Sequence, residues 1–381
     1  MKVCDIVKNS IWYDPRVRRQ VISYLEAPDC EVEAIGIEDI RYDKQKVEEY
    51  PCKVSLAPVD QKYFAANRTF LMKVKRELTV NRQLTKMLVE RKPDVIHAND
   101  LNALVPAFKA AKKLKCAVIY DSHEVFVENA GIVNHKLARL VWMVYEKYMI
   151  KRIDRMVCVS HAAADYFAKL YKVEKPMVVT NCSLQSEMAT SDEKNEGFEV
   201  LNHGQFYEGR GYDIMVESAP YLKDYPEIKI AMRGFGKLEE SLKERAKELG
   251  DENIRFYPKV LVQELIPMAA RSHVGVAITE AICLNFELSV SNKLFEYASA
   301  GLPVIMSDIP EHRYLNEKYG FGIVIPENTP EEFAKAVIKL YTDRELYEKC
   351  AANARVLSDE VNWEKEFERL IEFEREVTSK K

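Results

Sequence analysis

Short, nearly continuous apolar runs alternate along the chain with longer stretches whose apolar residues recur at helical spacing. In the first half the runs are KVCDIV (2–7), VEAIGI (32–37), VSLAPV (54–59), DVIHAN (94–99), AVIYDS (117–122), RMVCVS (155–160) and MVVTN (177–181). Helices are expected between most of them, for instance over 102–114 and 134–153. Strands that are apolar throughout, separated by helices, predict a parallel sheet covered on both faces. The pattern breaks at LQSEMATSDEKNEG (184–197), which is polar, shows little apolar periodicity and reads as a linker. A second series follows: EVLNHGQ (199–205), IKIAMRG (228–234), IRFYPK (254–259), VGVAIT (274–279), PVIMSD (303–308) and FGIVIP (321–326), closed by the charged helix NWEKEFERLIEFEREVTSK. The chain therefore reads as two doubly wound α/β domains. Ligands of such sheets bind beyond the carboxyl ends of the strands, and with two domains the cleft between them is the expected site.

Composition narrows this picture. The 381 residues are 47% hydrophobic and 30% charged, an ordinary globular balance. No apolar run reaches the roughly 18–20 residues needed to span a bilayer, and the first residues lack the pattern of a signal peptide. The eight cysteines never fall in a C-x-x-C pair, and several sit inside strands, so buried thiols in a reducing, cytoplasmic compartment are expected. The net charge of –4 is unevenly spread: residues 1–190 hold 31 Lys+Arg against 24 Asp+Glu, and the remainder 25 against 36. Much of the positive excess lies in 62–92, with nine basic residues and two acidic ones. That segment reads either as a helix with a solvated basic face or as a surface for anionic lipid headgroups or an anionic acceptor. Nucleic acid is not expected, because aromatics are not interleaved with the basic positions.

Glycine points to the second domain. Eleven of the 13 glycines lie from Gly197 onward, and the first strand–helix turn, KNSIWYDPRVRR, has none. A nicotinamide-type phosphate loop is therefore not expected there. The second domain carries GQFYEGRG (204–211) after its first strand and RGFG (233–236) after its second. Glycine at such turns lets backbone N–H groups approach phosphate oxygens, and Arg210 and Arg233 add fixed cations suited to a diphosphate. In SNKLFEYASAGLPVIMSD (291–308), a helix opening near Asn292 places Glu296 in its second turn, where it can accept from a ribose diol.

This last segment resembles the donor-binding signature of the retaining GT-B glycosyltransferases of family 4 (group 1), which commonly carry NKxxEYxAxGxPVI. DPRVRR, DVIHANDLNAL, IYDSHEVF, YEKYMIKRIDRMVCVS and VVTNCS resemble first-domain segments of that family, and GQFYEGRGYDIMVESAPYL resembles its GxxxxxKG element. The resemblance implies a GT-B fold: two Rossmann-like domains facing across a cleft, an acceptor-side domain over 1–183, a linker over 184–197 and a nucleotide-sugar domain over 198–360. A C-terminal helix, about 361–381, would cross back onto the first domain. It also implies metal-independent, retaining sugar transfer from a nucleotide donor, with no cofactor beyond that co-substrate.

Carried over by position, Glu296 would bind the ribose hydroxyls and Arg210 the diphosphate, while His123 would contact the donor sugar near its reacting carbon. Gly204, Gln205, Arg233, Gly234, Phe235, Asn292, Lys293 and Leu294 fall in the donor motifs, and Lys259 and Val260 in the backbone that reads the base. Asp14, Arg16, Asn99 and Asp100 sit at carboxyl ends of first-domain strands and would face a glycan or lipid-linked acceptor, with peripheral contact at the inner membrane face through 62–92. The remaining histidines (97, 135, 161, 203, 273 and 312) have no metal-gathering spacing and read as structural.

Three departures stand out. Leu288 occupies the position where family members often carry a second Glu, Gln205 replaces an arginine, and the first loop lacks the family's glycines. They motivate an alternative, a GT-B protein that no longer catalyses and binds a glycan or a partner glycosyltransferase. A nucleotide-sugar epimerase is a third reading.

Overall fold

Thirteen parallel strands among the described residues build two sheets, each with a reversal of strand order near its middle. The computed structural model describes residues 1–9, 11, 14–38, 50–60, 69–250 and 252–381; residues 62–68 of the basic segment lie outside them. The chain divides into two units, Met1–Val179 with Glu366–Lys381, and Thr180–Lys365.

In the first unit the strands are β1 (Lys2–Ile6), β2 (Glu31–Ile37), β3 (Lys53–Ala57), β4 (Val95–Asn99), β5 (Ala117–Ser122), β6 (Arg155–Cys158) and β7 (Met177–Val178), in the order β3-β2-β1-β4-β5-β6-β7. Strands β4 and β5 are buried along their whole length; each opens as an apolar run and carries buried polar groups toward its carboxyl end, His97 and Asn99 in β4, Asp121 and Ser122 in β5. The order reverses between β1 and β4, so the carboxyl ends of these two strands open the crevice in which such sheets hold ligands. Pro15 starts the first helix, Pro15–Glu26, with Asp14 as its N-cap accepting from the Val17 N–H.

In the second unit β8 (Phe198–Gln205), β9 (Ile228–Phe235), β10 (Ile254–Pro258), β11 (Val274–Ala277), β12 (Val304–Ser307) and β13 (Gly322–Ile325) follow the order β10-β9-β8-β11-β12-β13. Here the reversal lies between β8 and β11. The core on one side of this sheet joins Val200, Ile230, Met232, Val274, Val276 and Ile305 to Phe333 and Val337 of the helix Pro330–Thr342.

The polar segment 184–197 is laid along the second unit. Ala189 N–H donates to Ser299 O at 3.0 Å, Asn195 N–H to Arg271 O at 2.8 Å, and Lys194 Nζ to the carbonyls of Ala270 and Ser272. Its main chain and the Lys194 side chain make these fixed contacts, which have no helical or strand period for a sequence pattern to display. The C-terminal helix Trp363–Ser379 enters the first unit from Glu366 onward, with Phe367 edge-on to Tyr24 at 5.0 Å and Phe373 beneath Arg155. Among the described residues, no helix is long and apolar enough to cross a membrane. All eight cysteines are free thiols.

Candidate functional site

In the second unit the candidate residues converge where β8 and β9 end. Gly204 and Gly234 are register partners, and a Cβ on Gly234 would lie 1.8 Å from Gly204 O. A Cβ on Gly236 would lie 2.5 Å from Phe206 O, and Leu238 N–H donates to that same carbonyl. The glycines of the two turns are thus required by the close approach of one turn to the other. The resulting platform leaves Gln205 and Phe235 exposed, with Lys259 Nζ 4.9 Å from the centre of the Phe235 ring. Val260, half-buried, follows in the loop after β10.

The helix Asn292–Ser299 brings Lys293 and Glu296 to the same strand ends. Lys293 Nζ donates to Asn202 Oδ1 at 2.5 Å, and Asn202 Nδ2 donates to the Arg210 carbonyl at 3.1 Å. Asn202 therefore ties the backbone carrying one cation to the ammonium of the other. The Arg210 guanidinium stands 4.7 Å from the Phe286 ring centre, and Lys293 stands 5.1 Å from that of Tyr212. Arg233 lies over Tyr257 at 4.7 Å, its Nη1 3.4 Å from Pro258 O. None of these three cations forms an ion pair among the described residues. Burial lowers the pKa of all three; that of Lys293 is pushed down to about 7, by burial first and the charge of Arg210 second.

Glu296 is partly exposed, and its Oε2 lies 2.7 Å from Nε2 of the buried His203. The His203 ring packs at a tilt on Tyr297 at 4.5 Å, and the His203 backbone N–H donates to the Tyr297 hydroxyl. Asn292 is exposed at the helix start, whereas Leu294 is fully buried and offers a ligand only its backbone. Leu288 ends the short helix Leu284–Leu288, beside an exposed Glu287.

In the first unit the candidates gather around Asp121, at the end of β5. Arg16 is buried and clamps Asp121 through Nε at 3.0 Å and Nη2 at 2.9 Å, while Nη1 donates to Val179 O. This places Arg16 inside the sheet's polar core, committed to Asp121 and the Val179 carbonyl. Asn99 is also buried, donating to Asp5 and to Ile6 O. Its Oδ1 lies 3.0 Å from His123 Nε2. His123 retains 17% exposure, its backbone N–H donates to Asp100 Oδ1, and its ring nitrogens lie 3.8 Å from Asp100 and 3.6 Å from Asp121. Burial works against protonation of His123, but the carboxylates of Asp100 and Asp121 outweigh it, and its pKa is raised. Asp100 is a non-glycine residue at φ 69°, a strained setting of the kind found at functional sites. Asp14 caps the first helix and accepts from Asn9 Nδ2.

The missing glycines of the first loop also find a physical answer. Ile11, fully buried, adopts φ 63°, a conformation that usually selects glycine. It is held there by its N–H donating to Asn9 Oδ1 and its carbonyl accepting from Asp14 N–H.

Sequence reasoning missed Asn202, His203, Tyr212 and Phe286. The signal for the first two was present: a polar pair at the carboxyl end of an apolar strand, immediately before its terminal glycine.

Comparison with known proteins gives two complementary matches. A family described as Glycosyl transferases group 1 matches residues 183–357, and one described as Glycosyltransferase Family 4 matches 19–183. An uncharacterized glycosyltransferase of Haemophilus influenzae is 22% identical over 66% of this chain and 74% of its own length. Another, of Methanocaldococcus jannaschii, is 22% identical over 72% of this chain and 73% of its own. Among solved structures, Anabaena HepE in complex with UDP and glucose superposes with a TM-score of 0.75 at 13% identity, covering 98% of this chain and 99% of that one. Sucrose-phosphate synthase of Thermosynechococcus elongatus gives 0.78 at 13%, covering both chains fully.

Proposed function

The chain belongs to the GT-B glycosyltransferases of group 1, family 4 type, and from that premise we propose that it moves a hexose-type sugar from a UDP- or GDP-linked donor to a glycan, lipid-linked or small-molecule acceptor, with retention of configuration. One observation carries the donor half of this reading. Arg210 and Lys293 are brought together through Asn202 without a carboxylate ion pair among the described residues, one helical turn from a Glu296 already oriented by His203. Cations kept unpaired and partly desolvated cost stability unless an anion completes them, and a diphosphate has the complementary charge.

In the proposed reaction the bond from the sugar's anomeric carbon to the β-phosphate oxygen breaks. Arg210 and Lys293 offset the charge that develops on the leaving diphosphate. Glu296 accepts from the ribose hydroxyls, Arg233 fixes the β9–β10 turn, and the backbone at Lys259 and Val260 meets the base. The acceptor oxygen bonds to the anomeric carbon on the face being vacated, and its proton passes to the departing phosphate oxygen. His123, its pKa raised by Asp100 and Asp121, donates to an oxygen of the donor sugar, and Asp14 and Asp100 serve the acceptor. Arg16 and Asn99 position these groups from beneath. Side-chain cations supply the positive charge, so transfer proceeds without a metal ion, and the compartment is cytoplasmic.

The test is diphosphate release from UDP- and GDP-sugars in the presence of EDTA, with the anomer of the transferred or hydrolysed sugar read by NMR at early times. Release with the donor's own anomeric configuration is expected. Binding without release would favour the non-catalytic reading, and interconversion of two nucleotide sugars would identify an epimerase.

A further inference from the structure

The helix Lys136–Ile150 buries Met149 and Ile150 yet is also apolar on its outer face. Its 15 residues expose Leu137 (76%), Leu140 (56%), Val141 (59%), Val144 (62%) and Tyr148 (43%), at helical spacing, while Glu146 is fully buried. Glu146 faces the sheet, where it accepts from the hydroxyls of Tyr120, at 2.8 Å, and Tyr171. A helix on a water-facing surface carries the opposite pattern, and a contiguous apolar stripe of this kind marks an interaction surface. Glu128, itself buried, pairs with Arg139 on the flank of the stripe.

The ground around the stripe is basic. Tyr148 meets Phe108 edge-on at 6.0 Å, linking the helix to Asp100–Leu114, which carries Lys109, Lys112 and Lys113. Beyond it the helix Phe70–Arg91 adds Arg82 and Lys86. Between these elements runs a cavity of about 1090 Å³, with Phe108 and Tyr145 in its wall and Arg82, Lys86, Lys109 and Lys112 among its lining residues. Lys109, Lys112, Lys113, Lys136 and Lys147 form no ion pair among the described residues.

We infer that this face of the first unit docks on an anionic lipid bilayer, the Leu137–Tyr148 stripe entering the headgroup–acyl boundary and the lysines resting on acidic headgroups. A 15-residue helix lying in the interface spans about 22 Å. Charge decides between occupants: a second copy placed across a two-fold axis would bring the basic rims together, whereas an anionic surface complements them. The surface is centred on Lys136–Ile150 and its basic neighbours, which moves the expected membrane contact beyond the 62–92 segment. The inference rests on the first unit alone and stands or falls apart from the donor reading.

The experiment is flotation of the full chain with phosphatidylcholine vesicles, with and without 30% phosphatidylglycerol, at low and high salt. Binding only to the phosphatidylglycerol vesicles, weakened by salt, is expected. The double variant Leu140→Asp, Val144→Asp changes two exposed positions and should lower partitioning at least tenfold, with thermal midpoint and nucleotide affinity unchanged. Lys109→Gln with Lys112→Gln should lower it about fivefold per cation and flatten the salt dependence. Absence of binding to either vesicle, or equal binding by the aspartate variant, overturns the inference. So does a concentration-dependent dimer in sedimentation that Val144→Asp abolishes, which would give the face to a second copy.

Discussion

His97 Nδ1 lies 2.7 Å from Glu374 Oε1, a contact that ties the C-terminal helix to the middle of the first sheet across 277 residues of chain. The same imidazole reaches Asp121 Oδ2 through Nε2 at 3.2 Å, and Glu374 also accepts from the Tyr24 hydroxyl at 2.7 Å. Because Asp121 in turn faces His123 at 3.6 Å, a residue at the end of the chain helps to hold the polar floor beneath the candidate catalytic histidine.

Burial alone would strip His97 of its proton, but hydrogen bonds to Asp121 and Glu374 raise its pKa to about 10. An unfolded histidine titrates near 6.5. The folded state is therefore favoured by the bound proton fully below pH 6.5, and this contribution fades as pH rises toward 10. Glu374→Gln should cost on the order of 3 kcal/mol at neutral pH and shift the alkaline loss of stability to lower pH. Thermal midpoints between pH 6 and 10 check this; parallel profiles for the two proteins would remove Glu374 from the network.

Lys293, with its pKa pushed down to about 7, is half-deprotonated at neutral pH in the free protein. A bound diphosphate restores the charged form, so nucleotide binding takes up a proton. Affinity should fall roughly tenfold per pH unit above 7 until the complex itself titrates. Calorimetry in two buffers of different ionisation enthalpy measures the uptake, and Lys293→Met should abolish both the uptake and the slope.

Arg210 contributes no ion pair to the fold among the described residues, and its one aromatic contact is with Phe286. Arg210→Ala should cut turnover by about 100-fold or more while leaving the thermal midpoint within a few degrees. Comparable losses in both quantities would make it a structural residue.

Gly234→Ala forces a Cβ to 1.8 Å from Gly204 O and should destabilise the second unit by several kcal/mol, about the cost of the most severe core substitutions. Gly131→Ala is the control, since its new Cβ meets nothing closer than 3.7 Å. Urea denaturation of the two variants separates the outcomes; equal midpoints would mean that the paired turns are free to spread.

Much of this architecture is legible in the sequence because buried parallel strands leave little choice of residue. β4 and β5, each opening on β-branched apolar residues, announce themselves, as does the turn chemistry at Gly204 and Gly234. The placing of Arg210 and Arg233 at the ends of β8 and β9 was legible for the same local reason, since both adjoin turn glycines. Partners distant in sequence were not. Nothing in the surroundings of His97 or Glu374 predicts that they meet, and Arg16 reads as a strand-end cation until the fold sets Asp121 against it. The outward apolar face of Lys136–Ile150 was hidden differently: the helix is apolar on both sides, and which apolar positions meet the sheet is decided only once Tyr120 and Tyr171 surround the buried Glu146.

The most direct measurement is titration of the intact protein with UDP, GDP and ADP in EDTA, followed by thermal midpoint and repeated with Glu296→Ala. The account predicts that one base class raises the midpoint, with about 2.7 kcal/mol of stabilisation at 100 times its dissociation constant, and that Glu296→Ala weakens that nucleotide by on the order of 2 kcal/mol. A protein indifferent to all three diphosphates, or a Glu296→Ala variant that binds as tightly as the parent, would contradict it.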